Sequence, residues 1–366
     1  VSASAAVSRE PRGSAVNGRR ALARRPLLFA CLIAVLIAAI ALSLSLGSVD
    51  IPLSDIVRAL TGGEASRDAW TNIVLRFRLP KVLTAALAGA ALSVGGLLMQ
   101  TLFRNPLADP FVLGISSGAS LGVALVILAI GAPGVALLAG FGLAGDLGIA
   151  AAASIGAGLV MLLVLLIASR IRDRVALLIV GLMLGYAVGA LVSLLLFFSI
   201  PERIQAFINW GFGSFGGVTW GQMPIFAPIV IGGLLLCATL AKPLNALLLG
   251  ESYAASLGVR LGRVRLAIIV GVGLMAGAVT AFCGPIGFLG IAAPHLARSL
   301  FGTSDHRITI PAALIVGALL AIAADLIAQA PGSRTVLPLN AVTALFGAPV
   351  VILAILRWRG LRASFE

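Results

Sequence analysis

Charged residues are scarce in this chain: Asp, Glu, Lys and Arg make up only 11% of its 366 residues. Soluble globular domains carry roughly 25%. With 60% hydrophobic residues and a mean hydropathy of +1.12, the chain has more apolar surface than one aqueous core can hide. That excludes an ordinary soluble domain and makes the bilayer its solvent.

The residue types that do chemistry are scarcer still. Lysine occurs only as Lys81 and Lys242. Neither closes a G-x-x-x-x-G-K-[ST] loop, so this chain does not hold ATP by a P-loop. The two histidines, His295 and His306, have no second ligand at metal spacing. Cys31, Cys237 and Cys283 lie in or beside apolar runs and read as small buried hydrophobes. No Ser-His-Asp or Cys-His arrangement suggests itself. The expectation is no catalytic residue, no metal site and no cofactor held by this chain.

What the chain does have is arginine between apolar runs. Its net charge is +13, but the bases form short clusters without interleaved aromatics. That speaks against nucleic acid and for orientation in a lipid membrane by the positive-inside rule. About ten apolar segments can be drawn, at 27–47, 81–101, 111–130, 146–168, 175–199, 222–241, 266–282, 287–297, 309–329 and 339–356. The eighth is too short to cross about 30 Å of hydrocarbon at 1.5 Å per residue. It must be a half-helix packed inside the protein. Residues 1–26 read as a disordered basic cytoplasmic tail. The run that follows is long enough to be a retained first span rather than a cleaved signal peptide. Residues 27–358 form the transmembrane domain and 359–366 a second cytoplasmic tail. With the N-terminus inside, most of the Lys and Arg residues fall inside, and Arg58, Arg67, Arg76, Arg78, Lys81, Arg203 and Arg334 fall outside. This asymmetry predicts both ends in the cytoplasm.

Three connections stand out. Residues 48–80 make a long outer loop, and 242–265 an inner loop longer than a connection needs, hence a candidate docking surface. Residues 200–221 lie outside: a short amphipathic helix from Pro201, then a glycine-rich turn through Gly217, at the mouth of a pathway. Gly181/Gly185 and Gly273/Gly277 are small-xxx-small pairs, read as ordinary helix packing or as a dimer seam. Asp325 is the one clear ionisable residue inside a span, with no basic partner in the spans. It reads as a pathway or gate contact, as a hydrogen-bonded structural acid, or as the coupling residue of an ion-driven transporter. A membrane scaffold without transport activity is the remaining alternative.

Three blocks carry a specific resemblance. The first is Arg78, Leu79, Pro80 and Lys81, then Gln100, then Arg104 to Pro110 (RNPLADP), Gly114, Gly118 and Ala119. The second is Leu249 to Gly258 (LGESYAASLG). The third is Gly284 to Gly290 (GPIGFLG), Pro294, His295, Arg298, Asp305, His306, Arg307 and then Gly347, Ala348 and Pro349. In this order they resemble the ABC importer permease family for iron siderophores, haem and cobalamin, over roughly residues 28–358. The resemblance implies an all-α type II importer permease of ten helices in the inner membrane, paired with a second copy or a homologous permease. It implies two separate ATPase subunits inside, which carry the ATP and magnesium, and a substrate-binding protein docking outside. Carried over, Gly250, Glu251, Ala255, Leu257 and Gly258 form the coupling helix seated on the ATPase. Arg78 and Lys81 are docking bases for the binding protein. The family has arginine where this chain has Lys81, and again where it has Gln329; Arg334 lies close by and is a third docking candidate. The pathway is lined by the fifth helix and the loop after it, with Trp210, Gly213, Ser214 and Asp325 as its candidate contacts. A ferric siderophore is the expected cargo, haem or cobalamin the alternative.

Overall fold

The computed structural model describes residues 13–130, 146–171, 173–329 and 336–362, and all regular structure among them is helical. Helix α1 spans Gly13–Ser45, α2 Leu53–Leu60 and α3 Asp68–Asn72. A π-helical turn, Ile73–Arg78, leads directly into α4, Leu79–Phe103. A 3-10 turn at Pro110–Leu113 precedes α5, Ile115–Ala124. Then come α6 (Asp146–Arg170), α7 (Arg174–Phe197), α8 (Pro201–Gly211) and α9 (Met223–Thr239). The connection after α9 holds α10 (Ala241–Leu248) and α11 (Glu251–Ser256). Helices α12 (Leu261–Cys283), α13 (Leu289–Phe301), α14 (His306–Ala328) and α15 (Leu339–Arg362) complete the chain.

Each of the ten apolar segments coincides with a helical element. Among the described residues, six helices are long and apolar enough to cross a membrane, and a seventh if α9 and α10, bent by 53°, count as one. Helix is the required form there, because hydrocarbon offers no partner to a free backbone N–H or C=O. At 13 residues, α13 is about 20 Å long, as its short apolar run requires.

Three expectations need correction. The basic tail is not disordered from residue 13 onward: α1 begins at Gly13 and runs through Pro26. The inner loop is shorter than 242–265, because α12 starts at Leu261, and most of it is helical. Cys31 is exposed on α1, whereas Cys237 and Cys283 are buried.

Helix α4 is the hub. In its most apolar window 83% of the residues are buried, against 11% in α1 and in α7. It packs on α9, α12, α13 and α14, while α5, α6 and α7 form a second group beside it. Small residues make this possible. A Cβ on Gly89 would sit 2.2 Å from Gly317 O, and one on Gly118 2.6 Å from Gly156 O. The α4–α14 and α5–α6 crossings therefore bring backbones together as small-xxx-small packing does.

Candidate coupling face and pathway

The connection between α9 and α12 is a short two-helix unit. Helix α10 buries Leu244 and Leu247. Gly250 then reverses the chain at φ 120°, a conformation that a Cβ opposes. Glu251 opens α11, where an acid suits the helix N-terminus, and lies 3.6 Å from Arg265 Nη2 on α12. Ala254 is buried beneath. Leu249, Tyr253 and Leu257 are 66%, 50% and 60% exposed. Tyr253 and Leu257, four residues apart on α11 and its C-cap, share one side of that helix, and Leu249 is exposed just before the reversal at Gly250. Ala255 and Gly258 are also exposed, and Gly258 ends the helix at φ 81°. The five residues singled out in the sequence lie on this short helix and its two turns, with Ala255, Leu257 and Gly258 exposed, Glu251 turned to Arg265 and Tyr253 exposed beside them.

Anchors hold this unit to the membrane helices, and sequence reasoning missed most of them. Arg104 ends α4 in the left-handed region at φ 48°. Its Nη2 donates to Leu247 O at 3.3 Å and Leu248 O at 3.1 Å, capping the end of α10. Asn245 on α10 binds the start of α14. Its Oδ1 accepts from His306 N at 2.8 Å and lies 2.8 Å from His306 Nδ1, and its Nδ2 donates to Asp305 Oδ1 at 2.6 Å. Asp305 also accepts from Arg307 N, capping α14, and these bonds hold its carboxyl below the usual range. Nearby, His295 Nε2 meets Pro106 O at 2.9 Å, and Arg298 Nη2 donates to Gln100 Oε1. Arg104, Gln100 and His306 lie in recognisable blocks; nothing in the sequence marks Asn245.

At the opposite end, the two expected docking bases touch this chain's own atoms. Arg78 Nη1 donates to Leu44 O at 2.7 Å and Ser45 O at 2.8 Å, and its Nη2 to Val49 O, closing the end of α1. Lys81 Nζ lies 3.0 Å from Asp325 Oδ1. Asp325, near the C-terminal end of α14, therefore has the basic partner that the spans alone did not suggest, because packing brings Lys81 of α4 alongside it. Gln329 Nε2 donates to Asp325 Oδ2 at 2.6 Å, so the residue in the family arginine's place completes the cluster. Arg334 lies outside the described residues. On α2, Asp55 accepts from Ser66 N and Oγ, both at 2.8 Å, which lowers its carboxyl pKa.

The pathway candidates divide. Trp210, Gly213 and Ser214 line a cavity of about 130 Å³ with Gly217, Phe282 and Gly284. Ser214 N donates to Cys283 O at 2.8 Å and Asn340 N to Phe212 O at 3.0 Å. The first bond ties the glycine-rich turn to the end of α12, and the second ties it to the start of α15. Asp325 does not line this cavity. The amphipathic helix expected at Pro201 is α8, which leads into the turn.

With this geometry in place, the likenesses to known proteins are specific. The FecCD transport family matches residues 35–357. Vitamin B12 import system permease protein BtuC of Klebsiella pneumoniae subsp. pneumoniae is 38% identical over 287 residues, 78% of this chain and 83% of that protein. The protein of the same name from Salmonella typhimurium is 38% identical over 286 residues, 78% of this chain and 83% of its own length. A solved structure of a metal-chelate type ABC transporter in an inward-facing conformation superposes with a TM-score of 0.77 at 28% identity, covering 91% of this chain and 99% of that one. An all-helical, multi-pass chain matched over this length belongs to the FecCD transport family, as a membrane permease subunit of an ABC importer and not an enzyme.

Proposed function

We propose that this permease carries a cobalamin-type corrinoid into the cytoplasm, driven by ATP hydrolysis on two separate ATPase subunits. It works as a pair of permease copies in the bacterial inner membrane, with both chain ends in the cytoplasm. A substrate-binding protein delivers the cargo outside. The observation that carries the cargo assignment is the similarity to vitamin B12 permeases at 38% identity over most of both chains. The siderophore expected from the breadth of the family has no comparable support among these relatives. Their name matches the cobalamin alternative.

The ATPase docks on the patch of Leu249, Tyr253 and Leu257, with Gly250 and Gly258 setting its turns and Glu251 and Ala255 its helix. An exposed apolar patch on a short protruding helix suits insertion into a partner's groove. The cargo passes the cavity beside Trp210, Gly213 and Ser214. At about 130 Å³ that cavity is far smaller than a corrinoid, so its walls must part for one to pass. This fits a gate that opens when ATPase closure moves the coupling unit.

The test is uptake into proteoliposomes holding the permease, ATPase and binding protein. Cyanocobalamin is expected to accumulate with ATP, and a ferric hydroxamate siderophore is not. Leu257→Glu is expected to abolish both ATPase retention and uptake. Accumulation without the ATPase would refute the ATP-driven reading, and preference for the siderophore would refute the cargo.

A further inference from the structure

Helices α4 and α14 meet along their whole length in one fixed register. At the inner end Thr101 Oγ1 lies 2.9 Å from His306 Nε2. Further out, Ser93 Oγ donates to Ala313 O at 2.7 Å. Four residues back along α4, Gly89 meets Gly317, four residues forward along α14. Eight more each way bring Lys81 to Asp325 at 3.0 Å. From Lys81 to Thr101 the helix rises about 30 Å, the thickness of the hydrocarbon core. The pair is closed by a polar clamp at each end and by backbone contact between, so neither helix can slide on the other without breaking all of these contacts.

The inner clamp continues into the coupling unit. A backbone N–H must face an acceptor, so the atom of Asn245 turned to His306 N is its oxygen. The same oxygen then takes the hydrogen of His306 Nδ1, which leaves Nε2 as the acceptor facing Thr101. Thr101 Oγ1 shares its one proton between this nitrogen and Leu97 O, 2.9 Å away. His306 is 1% and Thr101 8% exposed, so these bonds do not compete with water.

We propose that Asn245 is a positioning residue that joins the coupling unit to the α4–α14 pair at the head of α14, as Arg104 joins it at the end of α4, and that the pair carries the displacement across the membrane as one rigid body. Movement of α11 by the ATPase thus reaches the outer end of α4 without a chain of side-chain rearrangements. This rests on the proposed docking of an ATPase at α11, but not on the identity of the cargo.

The experiment uses the assembled permease–ATPase complex in nanodiscs, with Cys31→Ser and an environment-sensitive fluorophore on Arg76→Cys, an exposed site beside the outer end of α4. The parent complex is expected to change fluorescence when a non-hydrolysable ATP analogue binds. Per assembled complex, Asn245→Ala and Thr101→Val are expected to lose that response roughly tenfold, while ATPase retention and basal hydrolysis persist. Thr101→Ser, which keeps the hydroxyl, is expected to restore it. An unchanged response per complex in both variants would overturn the proposal, as would loss of ATPase retention in step with the response. Failure of the parent to retain the ATPase would instead overturn the proposed function.

Discussion

Replacing Lys81 with methionine separates two roles for the base that opens α4. If Lys81 faces a binding protein, its loss weakens docking and spares the fold. If it clamps α4 to α14, its loss strands a carboxylate. Lys81 and Asp325 are 3.0 Å apart with side chains 23% and 7% exposed. At that separation the gross attraction is about 5–6 kcal/mol for an effective dielectric of 20. Most of it offsets the desolvation of both groups, yet removing one partner of a buried pair costs about 3–5 kcal/mol, because the other stays buried and charged. Gln329 still donates to Asp325 and Lys81 is partly wet, which places Lys81→Met near about 2–3 kcal/mol of destabilisation. Lys81→Met with Asp325→Leu removes the stranded charge and should return to within about 1 kcal/mol of the parent. The measurement is apparent thermal unfolding in nanodiscs at one scan rate, with binding-protein affinity on the same samples. A Lys81→Met protein that unfolds like the parent while losing about tenfold in affinity, about 1.4 kcal/mol, would refute the clamp.

Three further perturbations test other parts of the structure. Burial raises the Asp109 carboxyl to about 6 despite the Phe111 N–H it accepts. The folded state therefore holds that proton more tightly than the unfolded one, so this group's contribution to stability falls as pH rises from about 4 to 6 and is flat above. Asp109→Asn keeps the cap and should remove this slope, gaining about 1–2 kcal/mol at pH 7 after allowance for partial exposure, read from unfolding at pH 4.5 and pH 7. Gly89→Leu places a side chain where Gly317 O stands 2.2 Å from the Cβ position. It should cost at least about 3 kcal/mol and most of the folded yield, whereas Gly158→Leu, with nothing within 4 Å, should leave folded yield unchanged. Gly217→Leu meets only an ordinary 3.6 Å contact with Phe282 O and fills the cavity beside Ser214. It should cut uptake while ATPase retention stays normal, and unchanged uptake would remove the cavity from the pathway.

Much of this protein follows from its sequence alone. Scarce charge and long apolar runs dictate a bundle of membrane helices, because lipid solvates neither ions nor open backbone. The short run near Leu289 dictates a half-helix, and the order of the three motif blocks dictates the family. These signals are local or need only spacing along the chain. The short helix at Glu251 was legible for the same reason: Gly250, Glu251 and Gly258 announce a turn, an N-terminus and a stop within ten residues. Only the tertiary structure decided which groups meet across distance. Asn245 reaches His306, Lys81 reaches Asp325 and Gly89 reaches Gly317 because helix packing sets one register between segments more than 60 residues apart. Hydropathy is blind to that register, since a slip of one turn along two smooth helices changes every polar partner and leaves the apolar pattern unaltered.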